Sequence, residues 1–228
     1  MSGAGGVVLV VVDLQNDFCD ASAAARHGGD PAVLARAAGS AAGVVDQARA
    51  AGVEVVFVRF LGDVGHQGPS WRRRDAVLGK RAKCVSGSRG AEFHGVVPAA
   101  GERVFTKYAC FDAFLAEGFE RYLRERGVVR LVFAGVFTDV CVDSTARTAF
   151  QKGFEVSVLT DCTTPLHLPE PVVLSFMARV YGARLTTRAD PELWAACPPA
   201  STEEEPSRLS VRRAGPVPVT SEWTPGSG

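Results

Sequence analysis

Apolar runs alternate with amphipathic segments along most of the chain. Short runs rich in Val, Leu and Phe predict buried β-strands, and apolar residues at helical spacing predict α-helices between them. We predict strands over residues 7–12, 53–60, 103–106, 131–137, 155–160 and 183–186. We predict helices over residues 31–51, 112–126, about 141–150, and 169–181. This alternation predicts an α/β fold: a single-domain, three-layer α/β/α sandwich with a mostly parallel central sheet, over residues 5–190.

Three stretches depart from this alternation. Residues 14–20 predict a polar loop that contains Phe18, and residues 61–101 form a long segment with little periodicity. Irregular segments of that length inside a domain are usually functional or mobile. Trp71 and the three arginines that follow it either line a pocket for an anionic group or form a solvated basic patch. Residues 191–228 are rich in Pro, Ser, Gly and charge, and they predict a flexible C-terminal tail.

The segment 131–150 places a cysteine between a strand and a helix. Thr138 or Asp139 is expected to cap the helix, and Gly153 to end it. Val142, Ala146, Ala149 and Phe150 share one apolar face. Cys141 would then lie in or near the first turn, where the helix dipole lowers a thiol's pKa. The alternative is that Cys141 is a buried apolar side chain, which is common for cysteine.

Charged residues stand at the carboxyl ends of two other predicted strands, Asp13 after the first and Lys107 after the third. The ends of parallel strands meet at one edge of the sheet, where ligands bind in open α/β folds. A nucleophilic cysteine needs a base and a nearby positive charge, which Asp13 and Lys107 could supply. Taken singly, Asp13 also fits a turn-capping role and Lys107 a solvated one.

Composition narrows the possible partners. The chain has 228 residues, is 46% hydrophobic and carries a formal net charge of zero, which disfavours nucleic acid or an anionic membrane as partner. It has no apolar run long enough to cross a membrane, and its N-terminus lacks the basic region of a signal peptide. Six cysteines without a C-x-x-C pair do not suggest a disulfide or zinc framework. A reducing cytoplasm is therefore the expected location.

Three motifs resemble the isochorismatase-like cysteine hydrolases, which include ureidoacrylate and N-carbamoylsarcosine amidohydrolases. The motifs are VVLVVVDLQNDF (7–18), VFTKYACFDAF (104–114) and LVFAGVFTDVCVDSTARTAF (131–150). The second departs from the family, which often has Ser-Ala-Phe where this chain has Asp-Ala-Phe. The resemblance implies a triad of Asp13 as general base, Lys107 as electrostatic support and Cys141 as nucleophile. It also implies a cis peptide bond between Val136 and Phe137, and an oxyanion hole made by the Phe137 and Cys141 N–H groups.

Differences from particular family members narrow the expected activity. Nicotinamidases carry an Asp-x-His…His metal cluster after the second strand, where this chain has only Asp63 and His66. One Asp and one His do not make a three-ligand site, so we expect no metal and no cofactor. Because some isochorismatases lack a cysteine at the nucleophile position, the presence of Cys141 favours amide chemistry. The resemblance also implies a homodimer or a homotetramer.

The sequence thus predicts a hydrolase that cleaves an amide or ureido C–N bond of a small molecule through a Cys141 thioester. Phe18, Trp71 and Phe137 are candidate pocket walls, and Asn16 and Thr138 are candidate polar groups that position the substrate. One alternative is isochorismatase-type hydrolysis of a vinyl ether, with Asp13 as acid and Cys141 as a bystander. Another is a non-catalytic binding member of the same fold.

Overall fold

Six parallel strands form one sheet in the order β3-β2-β1-β4-β5-β6. The structure, a computed structural model, describes residues 6–28 and 30–195. The strands are β1 (Val7–Val12), β2 (Glu54–Leu61), β3 (Arg103–Tyr108), β4 (Arg130–Val136), β5 (Glu155–Thr164) and β6 (Arg184–Thr186). The helices are α1 (Asn16–Cys19), α2 (Ala21–His27), α3 (Pro31–Ala50), α4 (Pro69–Val77), α5 (Phe119–Glu125), α6 (Asp143–Gln151) and α7 (Glu170–Tyr181). The predicted three-layer α/β/α fold is confirmed.

The central strand β1 shows why the chain folds into layers. All six of its residues are buried, and successive side chains point to opposite faces of the sheet. Val7, Leu9 and Val11 pack in one core with α3, whereas Val8 and Val10 pack in the other with α5, α6 and α7. A strand buried on both faces needs the unbroken apolar run that the sequence provides.

Strand register brings the functional segments to one edge of the sheet. Val12, the last residue of β1, pairs with Val58 of β2 and with Gly135 of β4. Asp13 follows β1 directly, and its backbone N–H donates to the carbonyl of Val58 at 2.9 Å. Lys107 of β3 pairs with Phe60 of β2 at the same edge. The ends of these strands therefore lie at one edge of the sheet, as predicted.

Several sequence-based boundaries were wrong. The irregular stretch 61–101 contains the helix α4, which has no buried residue, so that no buried apolar face marks it in the sequence. The predicted polar loop 14–20 includes the short helix α1. The predicted helix 112–126 is broken into a 3₁₀ turn (Ala113–Leu115) and α5, because Gly118 between them has a φ of 77°.

Two strands run further than expected. Strand β3 continues through Lys107, and β5 continues to Thr164. Phe150 was assigned to the apolar face of α6, but its side chain is exposed. The predicted tail begins at residue 191, and from residue 196 onward it lies outside the described residues. None of the helices in the described ranges has the length and apolarity required to span a membrane.

Candidate active site

Asp13, Lys107 and Cys141 lie together at the carboxyl edge of the sheet, as predicted. The Lys107 ammonium donates to Asp13 Oδ2 at 2.6 Å and lies 3.3 Å from Cys141 Sγ. It also donates to the backbone carbonyl of Cys110 at 3.2 Å. All three side chains are buried. Burying an ion pair is costly unless both charges are satisfied by partners, so this arrangement is one that the surrounding fold must enforce.

Burial sets the protonation of the three groups. It raises the pKa of the Cys141 thiol, and the opposing Lys107 charge does not cancel this rise. It also raises the pKa of Asp13, against the lowering effect of Lys107. For Lys107, burial alone would lower the pKa, but the Asp13 and Cys141 partners outweigh burial and the net shift is upward. The direction of these shifts favours a charged Lys107 and a neutral Cys141 thiol. A helix start favours the thiolate, and burial of the sulfur opposes that effect.

Asp13 is an acceptor within hydrogen-bonding reach of the Cys141 thiol. Cys141 and Asp13 lie close enough for each to shift the other's pKa through a hydrogen bond. No described residue gives Asp13 Oδ1 a hydrogen bond of good geometry. The backbone of Asp13 is held at a φ of 51°, a left-handed conformation that is uncommon outside glycine. One carboxylate oxygen is thus anchored by Lys107, while the other remains available within the buried site.

The cysteine lies in a π-helical turn, not in the first turn of an α-helix. That turn covers Thr138–Val142 and precedes α6. Its wider register lets the Phe137 carbonyl accept hydrogen bonds from the N–H groups of both Val140 and Val142, at 3.0 and 3.1 Å. Thr145 Oγ1 donates to the Cys141 carbonyl at 2.8 Å. π-Helical turns inside helices frequently occur at functional sites.

The predicted cap at the helix start was wrong, whereas Gly153 does end the helix, following the C-cap Lys152 with a φ of 83°. No side chain caps the π-helical turn. The Asp139 carboxylate instead accepts three consecutive backbone N–H groups, from Leu166, His167 and Leu168, at 2.7–2.9 Å. Thr138 Oγ1 bonds Thr163 Oγ1 at 2.8 Å. Both side chains thus hold the cysteine segment against the end of β5 and the loop that follows it.

The backbone before the cysteine is tightly constrained. The peptide bond between Val136 and Phe137 is cis, at the position that the family resemblance implies. Gly135 has a φ of 115°, and a Cβ there would lie 2.0 Å from the carbonyl oxygen of Val12. Only glycine allows β4 to approach β1 this closely at the site.

A pocket of about 240 Å³ opens onto the triad. Asp13 and Cys141 form part of its wall, together with five aromatic side chains: Phe18, Phe60, Trp71, Phe111 and Phe137. Neighbouring rings of this set have centroids 4.9–6.0 Å apart. A cavity of this size fits a small molecule. The Phe18, Trp71 and Phe137 positions therefore agree with the predicted pocket walls.

The two polar positioning residues predicted from the sequence are engaged elsewhere. The Asn16 side chain donates to the carbonyl of Arg89 at 2.8 Å and bonds the His94 ring at 2.9 Å. Thr138 is fully buried against Thr163. Neither residue lines the pocket. Polarity near a strand end predicted their location but not the direction of their side chains.

Residues 63–66 do not form a metal site. The Asp63 carboxylate accepts the Ser86 N–H at 3.1 Å, and the His66 ring lies 4.2 Å from the Tyr108 ring. Within residues 6–28 and 30–195, no group of three His, Cys, Asp or Glu side chains is arranged to hold a metal ion.

Gln15 is a supporting residue that the sequence analysis missed. Its fully buried amide accepts from Phe60 N at 2.7 Å and donates to the carbonyls of Phe60 and Ala91, each at 2.9 Å. The side chain therefore joins the end of β2 to residues next to the pocket. The polar run after β1 contains both Gln15 and Asn16, and nothing in its composition distinguishes the buried amide from the other.

Comparisons with known proteins agree with this geometry. Residues 7–190 match the model of the isochorismatase domain family. The chain is 34% identical to nicotinamidase/pyrazinamidase of Mycobacterium tuberculosis over 171 residues, 68% of this chain and 84% of that protein. It is 32% identical to ureidoacrylate amidohydrolase RutB of Azorhizobium caulinodans over 170 residues, 68% of this chain and 74% of the relative.

Solved structures support the same fold. The structure of N-carbamoylsarcosine amidase from Thermoplasma acidophilum superposes with a TM-score of 0.67 and 24% identity, covering 81% of this chain and 98% of that one. At this identity the likeness shows the fold alone. The family match spans the whole segment from β1 to β6, including all three buried catalytic candidates. The family resemblance is therefore confirmed: this chain belongs to the isochorismatase family.

Proposed function

We propose that this protein hydrolyses the C–N bond of a small carboxamide or ureido compound through a thioester on Cys141. The chain is a hydrolase of the isochorismatase family, and two of its relatives are named ureidoacrylate amidohydrolase and nicotinamidase/pyrazinamidase. The observation that carries the proposal is the buried Asp13–Lys107–Cys141 cluster in the wall of an aromatic pocket. It combines a nucleophile, a base and a fixed positive charge.

In the first half-reaction, Asp13 takes the thiol proton as the sulfur attacks the substrate carbonyl carbon. A C–S bond forms, and the carbonyl π electrons move to oxygen. The raised pKa of the Asp13 carboxyl suits this transfer, because a base works best when its pKa approaches the working pH. When the intermediate collapses, the C–N bond breaks and Asp13 gives its proton to the departing nitrogen.

In the second half-reaction, water replaces the sulfur. The oxygen of the water molecule attacks the thioester carbon while Asp13 takes a proton from that water. The C–S bond then breaks, and the proton returns to the Cys141 sulfur. Lys107 stays protonated throughout, since its pKa is raised. Its ammonium stabilises the sulfur whenever that atom carries negative charge, and it keeps Asp13 ionised in a dry site.

The negative oxygen of each tetrahedral intermediate needs donors of its own. We assign this role to the backbone N–H groups of Phe137 and Cys141, as the family resemblance implies. Both residues line the pocket, and the π-helical turn fixes their relative positions. Preorganised donors of this kind commonly contribute about 10²-fold or more to the rate.

The proposal is tested by measuring ammonia release from a panel of primary carboxamides and ureido compounds. We expect release from at least one compound, and Cys141→Ala is expected to lower kcat by at least about 10³-fold, as removal of a nucleophile does. The matched control is Cys162→Ala, which removes a different buried thiol, one that packs in the core under α3. This control is expected to retain kcat. Near-full turnover by Cys141→Ala would overturn the mechanism.

A further inference from the structure

Gln67 is an uncharged polar side chain in the wall of the aromatic pocket. It follows a 3₁₀ turn (Val64–His66), and its backbone N–H donates to the carbonyl of Val64 at 3.2 Å. The residue is only 7% exposed, so its amide group lies almost wholly inside the protein. An amide buried to this degree normally has hydrogen-bond partners for both its nitrogen and its oxygen.

One hydrogen bond fixes the orientation of the Gln67 amide. Its Nε2 atom donates to the backbone carbonyl of Gly62 at 3.0 Å. A carbonyl oxygen can only accept a hydrogen bond, so the amide nitrogen, and not the amide oxygen, must face Gly62. The Oε1 atom of Gln67 is therefore turned away from Gly62.

This Oε1 atom is open to a donor. Within residues 6–28 and 30–195, no donor lies within hydrogen-bonding distance of Gln67 Oε1. The described side-chain atoms that are completely enclosed and lack a partner are Asp13 Oδ1 and Arg130 Nε. Gln67 Oε1 is not one of them, so it keeps some contact with solvent, and Gln67 lines the pocket. Its oxygen is thus a fixed acceptor that a ligand in the pocket can reach.

The two carboxylates of the pocket wall are already bound to cations. Lys107 binds Asp13 at 2.6 Å, and Arg74 binds Asp75 at 2.6 Å. A cationic ligand group next to Gln67 would therefore lack a counter-ion of its own, which is costly in a buried place. An uncharged N–H or O–H group is the donor that suits the uncharged oxygen of Gln67.

The Phe60 ring relates Gln67 to the triad. A Cβ on Gly62, whose carbonyl Gln67 binds, would lie 2.6 Å from Phe60 Cε1. The centre of the Phe60 ring lies 5.1 Å from the Lys107 ammonium, and Trp71 stacks on the same ring with centroids 6.0 Å apart. A flat ligand resting against these rings would thus extend from the triad to Gln67 over about the width of an aromatic ring.

From this geometry we infer that Gln67 determines specificity, because its Oε1 atom accepts a hydrogen bond from an uncharged N–H or O–H group of the substrate. The substrate class is a flat carboxamide or ureide that carries this donor on the side of the molecule away from the scissile carbonyl. An analogue without the donor would leave a buried acceptor unpaired, so the pocket discriminates against it. This inference rests on the proposed function for the position of the carbonyl. The preference for a donor is a property of binding and is measurable without turnover.

The test compares uncharged ligands that have the same shape and differ in a single donor group. Binding of 3- and 4-aminobenzamide to Cys141→Ala protein is measured by calorimetry beside that of 3- and 4-methylbenzamide, in which a methyl group replaces the amino group. We expect one amino isomer to bind about three- to tenfold more tightly than its methyl partner, as a hydrogen bond to a buried acceptor predicts. Without such a bond the order would be reversed, because burial favours the apolar methyl group.

Variants show whether Gln67 is the acceptor. In the Cys141→Ala background, Gln67→Met is expected to remove the advantage of the amino isomer and to leave binding of its methyl partner unchanged. If Gln67 only supported the turn at Gly62, the variant would weaken both ligands alike. Gln151→Met is the matched control, since Gln151 also donates to a backbone carbonyl, that of Arg147 at 3.3 Å, but lies outside the pocket wall.

The comparison of the ligand pairs needs no change at Gln67, so it decides the inference even if Gln67→Met does not fold. Methyl partners that bind as tightly as both amino isomers, an equal effect of Gln67→Met on the two ligands of a pair, or no binding of any of the four ligands would overturn the inference. If binding follows the expectation but wild-type protein hydrolyses no amide, the proposed function alone fails. If wild-type protein hydrolyses an amide but the pairs do not differ, the inference alone fails.

Discussion

The effect of removing the Lys107 ammonium is the one that the structure predicts in most detail. The Lys107 side chain has no exposure to solvent, and that of Asp13 is 1% exposed. Lys107→Met keeps most of the side-chain length and apolar surface but leaves the Asp13 carboxylate buried without its counter-ion. Breaking a buried ion pair on one side typically costs 3–5 kcal/mol of stability, or about 4 kcal/mol here.

The size of the loss follows from the proton that Asp13 must take up. Without Lys107, burial raises the pKa of Asp13 without opposition, so the folded protein holds this carboxyl protonated near neutral pH. Protonating a carboxyl of ordinary pKa costs about 4 kcal/mol at pH 7 and about 1.5 kcal/mol at pH 5. Between the pKa of Asp13 in the unfolded variant and its raised pKa in the folded variant, the folded state binds more protons. Stability therefore falls as the pH rises through this range. The variant should therefore lose about 2.5 kcal/mol more at pH 7 than at pH 5.

The assay is denaturant unfolding of wild type, Lys107→Met and Lys107→Met/Asp13→Asn at both pH values. Because the amide of Asn needs no proton, the double variant should recover most of the loss at pH 7 and show little pH dependence. A Lys107→Met stability that does not change with pH would refute the reasoning. A double variant no more stable than the single one would refute it too, since the cost would then lie in packing and not in charge.

Three further outcomes follow from single contacts. The acid limb of the kcat/KM pH profile should lie above the ordinary Asp pKa of 3.8, because burial raises the pKa of Asp13; a limb at or below that value contradicts this role. Gly135→Ala should lower the free energy of unfolding by at least about 3 kcal/mol or prevent folding, since the added Cβ would clash with the Val12 carbonyl. The control Gly153→Ala has a positive φ but open space around the added Cβ, and it should cost about 1 kcal/mol in the same denaturant assay. Asp139→Ala should cost about 1–3 kcal/mol and speed amide exchange at the three N–H groups it accepts; unchanged exchange there would count against the contact.

The sheet and the location of the site were predictable because both depend on local patterns. An unbroken run such as VVLVVV is compatible with a strand buried on both faces and with little else. Asp13 and Lys107 could be placed because each stands at or beside the end of a predicted strand, and parallel strand ends meet at one edge. For the same reason, the sequence predicts that Cys141 lies near them.

The parts that were missed depend on contacts between distant residues or on small changes in backbone register. A π-helical turn has the same composition as the first turn of an α-helix, so nothing in TDVCV distinguished the two. The position of the chain around Cys84 depends on a hydrogen bond from its N–H to Asp17, which is 67 residues away in sequence, so no local periodicity marks it. The directions of Asn16 and Thr138 depend on which partner lies nearer, and the pattern of polar residues does not record this.

The central claim, that Cys141 carries the acyl group during turnover, is tested most directly by trapping that group. Wild-type enzyme is mixed with a substrate found in the ammonia-release panel, quenched in acid within milliseconds, and digested for mass spectrometry. The mechanism predicts that the peptide containing Cys141 gains the mass of the acyl group, and that added hydroxylamine diverts this group into a hydroxamate. Ammonia release during the first turnover with no acylated Cys141 peptide at any quench time, and no hydroxamate, would contradict it.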